Sequence, residues 1–178
     1  MLRIVVPEYE FFDEATEEFV YFNGGTLILE HSLLSISKWE AKWKKPFLKS
    51  DKTREETLDY IRCMTVNQNV NPLIYSCLSG DAINEISDYM NDSMTATTIR
   101  EDGKSSNQIV TSEVIYYWMI AQNVPIEFEK WHINRLLTLL KVCAINTNPN
   151  KKKMSRADIA RQNRELNKQR RAKFNTKG

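Results

Sequence analysis

The sequence predicts an α+β fold: a mainly helical domain over residues 1–146 that opens with an antiparallel β-meander, then a linker and a basic helical tail over 147–178. Three observations predict it. The first thirty residues hold short β-rich runs separated by turn residues. From Ser32 onward apolar residues recur at three- and four-residue spacing behind capping residues. After Asn150 the apolar residues thin out and bases take over.

Leu2–Val6 is β-rich and ends at Pro7. Tyr9–Phe12 is followed by the polar stretch Asp13-Glu14-Ala15-Thr16, which reads as a turn. Phe19–Phe22 and Thr26–Glu30 flank Asn23-Gly24-Gly25, which reads as the loop of a hairpin because Asn and Gly tolerate positive φ.

Ser32–Lys45 reads as a helix that Pro46 ends. Ile36, Trp39 and Trp43 share a face, with Lys38, Glu40, Lys42 and Lys44 between them. An aromatic stripe at helical spacing either packs on the core or, beside so many lysines, forms a binding surface. Thr53-Arg54-Glu55-Glu56 supplies a capping box for a second helix, with Leu58, Ile61 and Met64 inward. The amide-rich loop from Asn67 to Asn71 interrupts it. A short helix near Leu73–Leu78 follows, then an amphipathic helix carrying Ile83, Ile86, Tyr89 and Met90. Met94–Arg100 and Asn107–Thr111 resemble two strands around an Asp-Gly turn.

Thr111–Ile145 reads as two helices broken at Asn123-Val124-Pro125. Thr111 or Ser112 caps the first, and Pro125 suits the first turn of the second. Phe128, Trp131, His132, Leu136, Leu139, Leu140 and Cys143 form one wide stripe along that second helix, and such breadth belongs in a core.

Charge is divided. Residues 151–178 carry 11 bases against two acids, whereas the first 150 residues carry 14 bases against 21 acids. An acidic body with a basic tail points to electrostatic partners. Lys151, Lys152, Lys153, Arg161, Arg164, Arg170 and Arg171 are the candidate contacts. With nucleic acid they would give salt-dependent, sequence-independent affinity, and no helix-turn-helix, zinc finger or RRM-like motif supports a specific reader.

Signs of catalysis are few. His31 falls where a strand ends, and His132 falls within the apolar stripe. No Walker loop, GxGxxG, HExxH, GxSxG or EF-hand pattern occurs. Cys63, Cys77 and Cys143 are too far apart for a CxxC site and read as reduced, buried thiols. The expectation is a protein without catalysis, cofactor or metal. No run of about eighteen apolar residues suits a membrane span, and the N-terminus lacks a signal-peptide layout.

The segments SISKWEAKWKKPFL, TREETLDYIRCMTVNQNVNP and TSEVIYYWMIAQNVPIEFEKWHINRLLTLLKVC, with the ending KKKMSRADIARQNRELNKQRRAKFNTKG, resemble a family of small tailed-bacteriophage morphogenesis proteins. The members it most resembles are tail assembly chaperones. The resemblance implies a protein of the host cytoplasm during phage assembly. Its implied partners are the tape-measure protein, whose hydrophobic helices such chaperones keep soluble, and the tail-tube subunit. It supplies no functional residues. On physical grounds a chaperone of helices needs exposed apolar surface, for which Trp39, Trp43 and Phe47 are the candidates. Self-association is also open to it. The alternative is a structural virion subunit, in the tail or completing the head, whose basic tail contacts DNA or a neighbouring subunit.

Overall fold

The computed structural model describes residues 1–13, 17–99 and 109–147, together with 160, 161, 163–168 and 171. Residues 1–144 form one compact unit and 145–178 a second. The fold class is α+β: four antiparallel strands precede the helices.

The strand order is not a meander. β1 (Leu2–Val6) pairs with β4 (Gly25–Leu29), and β2 (Tyr9–Asp13) pairs with β3 (Glu18–Phe22). The two ladders share one register: Leu2 faces Leu29, Val6 faces Gly25, Tyr9 faces Phe22 and Asp13 faces Glu18. The numbers of each facing pair add to the same total, so the strands are the proximal and distal halves of one long hairpin. Pro7 interrupts it because proline has no N–H to give the ladder. Opposite lies Gly24, at φ +72°, where an added Cβ would sit 3.0 Å from Glu8 N and 3.1 Å from Val6 O. Asn23-Gly24-Gly25 is therefore a crossing point within the ribbon and not the expected hairpin loop.

The proximal half packs on the core through Ile4, Val6, Leu27 and Leu29, each at most 3% exposed. The outer edge of β4 is covered. Glu30 N donates to Met64 O, Val66 N donates to Ile28 O, Ile28 N donates to Asn67 Oδ1, and Asn67 Nδ2 donates to Thr26 O. Asn67 thus extends the ladder with its side chain, and the amide-rich loop has at least this structural duty.

α1 (Leu33–Trp43) starts at the Ser32 cap and stops at Lys44, which takes a left-handed conformation. α2 (Arg54–Met64) carries the expected capping box between Thr53 and Glu56. A 3-10 turn, Pro72–Tyr75, leads to α3 (Gly80–Asn91), capped by Ser79. The described parts of the two expected β segments, 94–99 and 109–111, hold no strand. The hydrophilic loop between them lies outside the described residues.

α4 (Ser112–Ala121) has no side-chain cap from Thr111. Glu40 of α1 substitutes: its Oε2 accepts from Ser112 N and its Oε1 from Phe47 N, both at 2.7 Å. A carboxylate at a helix N-terminus satisfies an orphan donor and meets the positive helix end. The expected second helix is divided. Ile126–Lys130 is a 3-10 turn, Trp131 is extended, and α5 runs Ile133–Thr147. A bridge between Ser32 and His132, with Ile133 N donating to His31 O at 2.7 Å, forces this break. His132 therefore stands at the mouth of α5 instead of along a continuous stripe.

Candidate functional site

The aromatic stripe of α1 resolves toward the core. Trp39 is 0% and Phe47 4% exposed, so neither is the accessible client surface expected from spacing. Trp39 Nε1 donates to Glu56 O at 2.9 Å, which ties α1 to α2. Its ring meets Phe47 edge-on at 5.2 Å, and Lys52 Nζ sits 4.0 Å above the Phe47 ring. Trp43 is half-buried and donates through Nε1 to Asp59 Oδ2 at 2.8 Å, while Lys42 pairs with Asp59 Oδ1 at 2.5 Å. Spacing places Trp39 and Trp43 on one face of α1. It could not show that α2 covers the face, because that depends on contacts far apart in sequence.

A second group joins the hairpin to three helices. His31 Nδ1 and the Tyr60 hydroxyl share a hydrogen bond of 2.5 Å, and the His31 and His132 rings meet edge-on at 5.1 Å. His132 Nε2 donates to Tyr89 O at 3.0 Å, and its Nδ1 accepts from Asn134 N at 3.3 Å. That pattern fits a neutral imidazole with its proton on Nε2. Tyr89 donates to Glu30 Oε1 at 2.7 Å, and Glu30 Oε2 pairs with the N-terminal ammonium at 3.2 Å. Burial, then the neighbouring His132, holds the His31 pKa down at about 3. Burial also lowers His132 and raises Tyr60. With His31 and His132 at most 6% exposed and Tyr60 at 1%, the group keeps its protons fixed and lies out of reach of a dissolved substrate. Its chemistry is that of a polar clasp.

Among the described residues no set of three His, Cys, Asp or Glu side chains is placed to hold a metal ion. The three cysteines are unbridged and half-buried rather than fully buried, with burial raising the Cys63 and Cys77 thiols. No described helix is long and apolar enough to cross a membrane.

A surface with room for a ligand lies elsewhere, between α4 and α5. It is an open apolar groove of about 530 Å³, lined by Val110, Trp118, Gln122, Leu137, Leu140 and Ala144, with Lys49 and Lys141 also contributing. α4 is apolar around most of its circumference, yet only Ser112, Ile115 and Met119 are buried. Tyr117 and Ile120 stand 66% and 72% exposed. Gln122 Oε1 is buried and has no hydrogen-bond partner among the described residues, which leaves an acceptor available beside the groove. The apolar stripes were legible in the sequence, but not that a channel stays open between them.

Of the basic candidates, Arg161, Arg164 and Arg171 are exposed on helical backbone, with Arg164 Nε donating to Ala160 O at 3.3 Å. Lys151, Lys152, Lys153 and Arg170 lie outside the described residues. Comparison with protein-family models, curated proteins and solved structures found no match.

Proposed function

We propose that this chain is a non-catalytic binding protein of phage tail morphogenesis, of the assembly-chaperone type, and that its α4–α5 groove takes an amphipathic helix of another tail protein. The groove carries the reading. It is lined almost wholly by apolar side chains and lacks the convergent polar groups that orient a small ligand. Its volume suits two or three apolar side chains spaced along a helix. Lys49 favours an acidic residue flanking those anchors, and Gln122 Oε1 awaits one donor. The resemblance to tailed-phage proteins makes the tape-measure protein the first client to try, with the tail-tube subunit second.

Co-expression with the tape-measure protein is the test. The expected result is a soluble complex that Ala144→Arg disrupts, since residue 144 is exposed and lines the groove. A complex indifferent to Ala144→Arg refutes the groove as the seat, and no complex at low salt refutes the client. The exposed Arg161, Arg164 and Arg171 favour a second reading, a structural virion subunit whose basic segment meets DNA or a neighbouring subunit. That reading predicts DNA retention that falls steeply with salt.

A further inference from the structure

The distal half of the hairpin differs from the proximal half in being uncovered. β2 and β3 form a two-stranded ladder, and no third strand joins it among the described residues. Such a ribbon is only marginally stable in water by itself. The register puts Glu10 and Tyr21 on the same face as Phe12 and Phe19. Phe12 is 50%, Tyr21 56% and Phe19 71% exposed. Phe12 and Phe19 meet edge-on at 5.3 Å, and Tyr21 donates to Glu8 Oε2 at 2.7 Å. The opposite face anchors the ribbon through Phe22, which is 2% exposed. An open aromatic face of this kind marks an interaction surface.

Its charge identifies the chemistry of the occupant. Residues 8–22 contain six carboxylates, six aromatic rings and no lysine or arginine; on the open face itself stand Glu10 and, bound to Tyr21, Glu8. Carboxylates interleaved with aromatic faces suit Arg and Lys, which pair with the former and stack on the latter. The same protein already uses this contact: the Arg135 guanidinium lies 3.9 Å over the Trp131 ring. One segment of the sequence matches in length and sign, residues 151–178 with 11 bases and two acids.

We propose that the β2–β3 face docks the basic C-terminal segment, residues 151–178, of a second copy of this chain. The contact joins different patches on the two copies. Reciprocal exchange of the segment closes a dimer, and one-way repetition builds a ring or a filament. It does not depend on the groove reading.

The test uses the full-length chain. Sedimentation velocity over a range of protein concentrations reads association. Carbodiimide cross-linking of mixed 14N- and 15N-labelled protein joins carboxylates to lysines and separates contacts between copies from contacts within one. The expected result is concentration-dependent association in dilute salt that disappears in about 1 M salt, where screening acts over about 3 Å. Mixed-isotope cross-links should run from Glu8 or Glu10 to lysines of 151–178. The Glu8→Lys/Glu10→Lys double variant changes two exposed residues beside Tyr21 of that face and should weaken association at least about tenfold, as like charges oppose docking. Unchanged far-UV circular dichroism checks its fold. A monomer at all concentrations, cross-links confined to single copies, or association that survives both salt and charge reversal overturns the proposal.

Discussion

Glu40 is the most instructive residue to perturb, because one carboxylate joins three separate pieces of chain. It is 7% exposed, and its two oxygens accept from Phe47 N, after α1, and from Ser112 N, at the start of α4. Both bonds measure 2.7 Å, the length expected for a charged acceptor. Glu40→Gln keeps the shape but has one acceptor oxygen, and its NH2 group must face a backbone N–H. A hydrogen bond to a charged group contributes about 1.5–3 kcal/mol, and an orphaned buried donor costs about 1–3 kcal/mol. Partial relaxation should leave Glu40→Gln destabilised by about 2–3 kcal/mol. Glu40→Ala loses both bonds and should cost about 3–5 kcal/mol, a large share of the 5–15 kcal/mol typical of a domain. Urea unfolding at neutral pH measures both, and an unchanged m-value assigns the loss to stability. Glu40→Gln within about 0.5 kcal/mol of the parent, the usual size of a neutral surface change, would refute the double-acceptor role.

Three further predictions are independent of this one. His31 has a folded pKa of about 3 against 6.5 for a free imidazole, so the unfolded chain binds the extra proton between those values and stability falls as pH drops through that window. From pH 7.5 to pH 5.5 the loss from this group is about 1.4 kcal/mol. Unfolding at pH 7.5 and 5.5 should show it, and His31→Gln, though less stable, should show less of it; an equal slope in both proteins counts against the buried imidazole as its source. Gly24→Ala must adopt φ +72° with a Cβ 3.0 Å from Glu8 N and should cost about 1–3 kcal/mol. At Gly80 an added Cβ meets nothing within 4 Å, so Gly80→Ala should be neutral or stabilise by about 0.4–1 kcal/mol; thermal unfolding with both substitutions equally harmful would contradict this reading of the backbone.

The sequence makes an element legible where the cause of structure is local. Thr53 caps α2 with its own side chain, a motif settled by residues three apart, whereas Thr111 carries the same local signal and makes no side-chain cap, because Glu40 takes the Ser112 N–H from a distance in sequence. Asn23-Gly24-Gly25 misled because a two-glycine stretch answers to backbone freedom, which a hairpin loop and a ribbon crossing both require. Pro7, sixteen residues from Asn23, decides between them by breaking the opposite strand. Phe128, Trp131, His132 and Leu136 fit the spacing of one continuous helix, yet pairing of His132 with Ser32 outweighs that local preference. Trp39 and Phe47 show the same limit for the candidate site. Helical spacing marks an apolar face but not whether another helix covers it: the Trp39 face is covered, and the groove beside Trp118 and Leu137 is open.

Quantitative mass spectrometry of infected cells and purified virions tests the assembly-chaperone account most directly. The account predicts abundant peptides of this chain in cells during tail assembly and none at stoichiometric level in finished particles. Many copies per virion would contradict it and leave the structural-subunit reading, with the basic segment and the distal hairpin as the contacts to map first.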